Sequence, residues 1–195
     1  MALKIASPPK QCLRLISDAL DKFQSTPMEM YRESSLKAIP PKELDASLPH
    51  QVFLMGLIDV IEASLDKAQP IGWRYIVLRG EQPVAAAEIE GTEARRRLQF
   101  SNFNEGPFVL ESVKGIALAE KLPEMEKEDF VLRLLRIPAL YVMALWIHGD
   151  NREILIPLEP THDLLVPNRK YTPTQFFRQL ASAAEQRAEF DDTPS

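Results

Sequence analysis

His148, Asp150 and His162 stand in an order that metal chemistry uses: a histidine, a carboxylate two residues on and a second histidine downstream, as in facial iron sites with open coordination positions. Their spacing argues against that use. In such sites the second histidine comes from a distant strand of a barrel, whereas here one strand separates the two. No metal site is favoured, and the plain reading is a strand-end histidine, a turn aspartate and a loop histidine. Asp59, Glu62 and Asp66 form a carboxylate row at helical spacing, but the Glu-x-x-His pairs that helical metal sites place on facing helices are missing, so the row reads as the wet edge of a helix. Nucleophilic catalysis needs a serine or cysteine within reach of a base. His50, His148 and His162 are the candidate bases, yet no G-x-S-x-G elbow occurs and Cys12, the single cysteine, falls on an apolar helical face. Neither G-x-G-x-x-G nor a P-loop is present to cradle phosphate. Catalytic residues stay unassigned, and the expectation is a non-enzyme without a cofactor.

Trp73, Tyr75, Tyr141 and Trp146 are the ligand-binding candidates. Strand alternation puts Trp73 with Tyr75 on one face and Trp146 with His148 on one face, so an aromatic-lined cleft between sheet and helices would suit a small molecule. The competing use of these rings is to fill the core.

The composition narrows the partners. With 28 acidic against 23 basic side chains the net charge is -5, and the only tight basic run is Arg95, Arg96 and Arg97, too short for a nucleic-acid surface. A single cysteine excludes an intramolecular disulfide, and the first residues reach Ser7, Pro8 and Pro9 without the apolar stretch of a secretory signal. No apolar run approaches the roughly 20 residues of a membrane span. A cytoplasmic location is expected, with no nucleic-acid and no membrane partner.

The elements that must position these side chains are read from periodicity. Cys12, Ile16, Leu20 and Phe23 recur at helical spacing after Pro8 and Pro9, and Thr26 with Pro27 opens a second, short helix through Met30 and Leu36. Residues 38–50, with Pro40, Pro41 and Pro49, read as a connection, and Val52, Met55, Ile58, Ile61 and Leu65 predict a core helix over 51–67. A first hairpin follows at 73–89, and Leu98 and Phe100 alternate in a third strand over 97–103. Phe108, Val109, Val113, Ile116 and Leu122 predict a helix that Gly115 weakens, and Phe130, Val131, Leu134 and Leu135 a short one ending at Pro138. The longest apolar run then predicts a second hairpin at 139–158, turning at Gly149, Asp150 and Asn151, with Pro157 making its return strand an edge. Thr172 and Pro173 open a last helix carrying Phe176, Phe177 and Leu180.

These elements predict an α+β fold: an antiparallel sheet of four or five strands built from two hairpins, with five or six helices packed against it. One domain is expected over residues 1–190, and 191–195, without an apolar residue, should fray. A full core without a catalytic signature points first to a non-enzymatic interaction protein, self-associating as a homodimer through an exposed strand edge or apolar helix face. The alternative is a small-molecule binding domain with an aromatic-lined cleft, and after it a metal-dependent or hydrolytic enzyme around His148, Asp150 and His162.

Overall fold

The computed structural model describes residues 3–27, 34–92 and 97–191. Its strands are β1 (Leu3–Ile5), β2 (Leu44–Leu54), β3 (Gln69–Arg79), β4 (Gln82–Glu90), β5 (Gln99–Asn104), β6 (Phe130–Ile137), β7 (Val142–Gly149) and β8 (Glu153–Pro157). All eight join one mixed sheet in the order β5-β4-β3-β2-β6-β7-β8, with β1 alongside the first half of β6. The pairs β1/β6 and β2/β6 are parallel and the rest antiparallel. Four α-helices are described: α1 (Gln11–Ser25), α2 (Leu57–Ile61), α3 (Pro107–Ala119) and α4 (Pro173–Asp191).

The fold is α+β as expected, but among the described residues its sheet has eight strands rather than four or five, and there are four α-helices rather than five or six. The two hairpins and the third strand over 97–103 are present as β3/β4, β7/β8 and β5. The additional strands come from the N-terminus and from two segments that read as helix or connection, residues 44–54 and 130–137. In β6 every residue is buried or half-buried, because helices cover both faces, and a short apolar run carries no period that separates strand from helix. In β2 the misleading residue is Pro49, which has no amide for the ladder. Leu48 takes a positive φ of 48° and the register with β3 slips between Ser47 and His50, so a bulge absorbs the proline and the strand continues. The expected helix over 51–67 shrinks to α2. Its start is Gly56, whose backbone N–H donates to Asp59 Oδ2 at 3.3 Å. Of the helix expected from Thr26 and Pro27 through Met30 and Leu36, residues 28–33 lie outside the described residues, as do Arg95, Arg96 and 192–195 of the expected tail; Asp191 closes α4.

Each face of the sheet has its own layer. Trp73, Gln51, Arg133 and Trp146 are successive cross-strand partners, which puts them on one face. There α1 lays Cys12, Ile16 and Leu20 against Trp73, Tyr75, Ala85 and Ala87, while α2 and α4 cover Leu135, Trp146 and Leu155. The small side chains of β4 admit α1 closely. Buried Lys37 ends that helix, donating from Nζ to the Gln24 carbonyl at 2.7 Å and to those of Phe23 and Thr26. On the opposite face α3 packs Ile116 and Ala119 against Leu132, Leu134 and Leu145. Gly115 makes room there, since a Cβ would come within 2.7 Å of Leu145 Cδ1 and the leucine would have to shift. Strand β7, between β6 and β8 and covered on both faces, is an interior strand.

Cys12 is fully buried beside Tyr75, whose phenol is pushed well above its ordinary pKa by burial and by that thiol. A thiol reagent is therefore expected to leave the native protein unlabelled and to react once urea unfolds it. Fast labelling of the native protein would overturn the placement of α1.

Candidate functional site

Arg74 is the anomaly in the core. It stands in β3 between Trp73 and Tyr75, which face α1, so alternation sends it to the α3 side with Ile76. Its β2 partner is His50, its β4 partner is Glu88, and Glu88 in turn pairs with Asn102 of β5. A polar row thus crosses four strands of an otherwise apolar sheet. Arg136, near the end of β6, joins it: its Nη2 donates to Glu88 Oε1 at 2.5 Å, the same oxygen that Arg74 Nη1 approaches at 3.3 Å and Asn104 Nδ2 at 3.4 Å. Gly72, opposite Glu90 and next but one to Arg74, has no room for a side chain, because a Cβ would lie 2.0 Å from the Ile89 carbonyl oxygen.

One carboxylate therefore serves two guanidiniums, and several donors go without partners. Arg74 is 1% exposed; its Nη1 has Glu88 and, at 3.4 Å, the Met143 sulfur, while Nε and Nη2 are buried with no hydrogen-bond partner. Arg136, 23% exposed, has Nε in the same condition. Burial is the main force lowering the Arg74 pKa to about 10; the Glu88 carboxylate opposes that shift and Arg136 adds to it, so the side chain still carries its charge at neutral pH. His50 is fully buried. Burial first, then the Arg74 charge, lowers its pKa to about 3, against the bond to Leu48, with Arg136 adding further. The ring is neutral, its Nδ1–H donates to the Leu48 carbonyl at 2.8 Å, and Nε2 is a bare, unpartnered acceptor. Across the row the charge is two positive against one negative.

This row borders a cavity of about 710 Å³. Arg74, Arg136, Asn102 and Asn104 make its polar end, and Phe108, Val109, Pro138, Val142 and Met143 much of its apolar wall. The first turn of α3 forms part of the lining: Gly106 is its N-cap, Pro107 follows, and no side chain caps the turn. The Phe108 carbonyl is taken by Ser112 Oγ at 2.6 Å, one turn into the helix. Glu111 anchors α3 to the loop before α4 through Asn168 Nδ2 at 2.9 Å. No family model, curated protein or solved structure matches this chain.

The structure separates the four aromatic candidates. Trp73 and Tyr75 lie under α1, and Trp146 lies under α2 and α4, edge-on to Phe53 with Arg133 4.7 Å above its ring. Tyr141 alone lines the cavity. It is not a strand residue: it takes a left-handed conformation, φ 53°, after a single 3-10 turn over Pro138–Leu140, and its ring is 83% exposed at the cavity rim. His148 Nδ1–H donates to Glu153 Oε1 at 2.7 Å, and Glu153 Oε2 takes the Trp146 indole N–H at 2.5 Å. His162 is spent in its own loop, its Nδ1 accepting the Leu164 N–H at 3.3 Å, and Asp150 sits in the β7/β8 turn. Among the described residues no group of three or more His, Cys, Asp or Glu side chains is placed to hold a metal ion. Among them too, no helix is long and apolar enough to cross a membrane.

Periodicity missed Arg74, Glu88 and Arg136. The signal that could have found them is simple: each is a charge inside a stretch whose neighbours are apolar on both strand faces, as in residues 73–78, 84–89 and 130–137. A charge with no wet face to occupy must be paired or put to use.

Proposed function

We propose that this chain is a small-molecule binding domain whose ligand occupies the cavity beneath the start of α3. The observation that carries the reading is Arg74, a buried guanidinium on the cavity wall with two of its three nitrogens unpartnered. Burying such donors is costly, and sheets do not keep them in a core without a partner to supply. The cavity volume of about 710 Å³ lies within the usual range for organic ligands, and an apolar wall with a few convergent polar groups is their usual setting. The strand edges offer a protein partner less: β8 is bridged by Tyr171 through two hydrogen bonds of 2.9 Å to Leu155, and β5 presents Gln99, Ser101 and Asn102 to solvent.

A thermal-shift screen over metabolites tests this, run on the protein and on Gly106→Trp. Gly106 lines the cavity and a Cβ there meets nothing within 4 Å, so the indole should occupy ligand space without disturbing the sheet. A ligand present at about 100 times its Kd adds about 2.7 kcal/mol, which raises the Tm of a chain this size by roughly 5–10 °C. Hits that vanish on Gly106→Trp are the expected result. An empty screen, or hits untouched by the indole, would overturn the reading.

A further inference from the structure

We infer that the ligand of this cavity is an organic monocarboxylate, its carboxylate held by Arg74 and Arg136 and its apolar body lying along Phe108, Pro138 and Met143. This rests on the small-molecule reading above and adds the chemical class. In a guanidinium, Nε–H and one N–H of Nη2 point the same way and form a fork that matches the two oxygens of a carboxylate. Those are the two nitrogens that Arg74 leaves unpartnered, while Nη1 is taken by Glu88 and Met143. The fork is closed off from water, and Met143, whose sulfur lies 3.4 Å from Nη1 of the same guanidinium, is an adaptable neighbour: a thioether is a weak acceptor on a flexible stem, so it can give way as the acid enters.

The charge count selects one negative charge. Arg74 and Arg136 supply two positive charges, Glu88 cancels one, and His50, neutral with its Nδ1–H on Leu48, supplies none. One carboxylate closes the balance, whereas a phosphate dianion would leave a buried excess of negative charge. The first turn of α3, opening at Gly106 without a side-chain cap, adds its positive dipole end to the same wall. The remainder of the lining is apolar apart from the amides of Asn102 and Asn104 and the hydroxyls of Tyr141 and Thr161, which suits a largely hydrocarbon body and offers no further cation for a diacid.

The test compares decanoate, decyl phosphate and decanol, each below its aggregation threshold, by calorimetry and by the methyl resonance of Met143 in methionine-labelled protein. Decanoate is expected to bind one to one and shift Met143, with decanol and decyl phosphate each about tenfold weaker or more. Arg136→Gln should weaken decanoate by about tenfold and leave decanol unchanged; Arg74→Lys, which keeps the charge and removes the fork, should do the same if it folds. Equal binding of decanol and decanoate at Met143 would overturn the carboxylate assignment while leaving the cavity reading standing. Tighter decyl phosphate would reassign the site to phosphates. No Met143 shift from any of the three would overturn both readings.

Discussion

Glu88→Gln is expected to lower the unfolding free energy by about 3–5 kcal/mol, a large share of the roughly 5–15 available to a domain. The substitution keeps the size and shape of the side chain and removes only its charge. Glu88 Oε1 is the shared acceptor for Arg74 at 3.3 Å and Arg136 at 2.5 Å, so its neutralisation leaves two like charges facing each other at a site nearly closed to water. Bulk solvent screens little there, because Arg74 is 1% exposed. Glu43→Gln is the control. Glu43 pairs with Arg79 at 2.8 Å, but with 39% and 52% of the two side chains exposed that pair is worth at most about 1 kcal/mol. Urea unfolding should show a marked drop in midpoint for Glu88→Gln at unchanged slope and almost none for Glu43→Gln. Similar midpoints for the two variants would mean that the row is wetter than the structure places it.

The second large effect is on acid stability and belongs to His50. An unfolded histidine takes a proton near pH 6.5, whereas the buried ring resists until about pH 3, because burial and the Arg74 charge both oppose the imidazolium. Below pH 6.5 the unfolded chain therefore binds one more proton than the native one, and stability falls as the pH falls, down to the native pKa. The contribution is fully present above pH 6.5 and on the order of 3 kcal/mol of it is lost by pH 4. Carboxylates titrate in the same direction at the lower end, so the informative quantity is a difference. Unfolding free energies measured from pH 7.5 to pH 4 should converge for the protein and His50→Gln, since the glutamine amide can still donate to Leu48 but does not titrate. Curves that stay parallel through pH 5 would place His50 in contact with water.

The two effects have different origins although both residues are cross-strand partners of Arg74, His50 from β2 and Glu88 from β4. Glu88 matters because it neutralises, and His50 because it must stay neutral. A monocarboxylate bound at Arg74 would also reduce the penalty of Glu88→Gln, since the incoming charge takes over part of its role.

Several parts of this molecule were decided by sequence alone. The hairpins at 73–89 and 139–158 follow from apolar runs joined by short polar turns, and α1, α3 and α4 from apolar residues at helical spacing behind proline or capping starts. These signals are local, each readable within about fifteen residues. The central strands β2 and β6 each have an antiparallel neighbour close in sequence, β3 and β7, but what joins the two halves of the sheet is not local. It is their parallel pairing with each other some 80 residues apart, from Gln51↔Arg133 to Leu54↔Arg136, and no turn announces it. β6 is buried or half-buried throughout and β2 mostly half-buried, so neither carries the clean alternation of a half-wet strand or the stripe of a surface helix. The same burial hid the site. Arg74 and Arg136 each stand in sequence as a charge among residues apolar on both strand faces, which marks them as unusual, but only the assembled sheet shows what they pair with. It is the tertiary structure that brings both guanidiniums onto one carboxylate, neutralises His50 beside them and sets the first turn of α3 over the row, because those are consequences of long-range pairing and desolvation rather than of neighbouring residues.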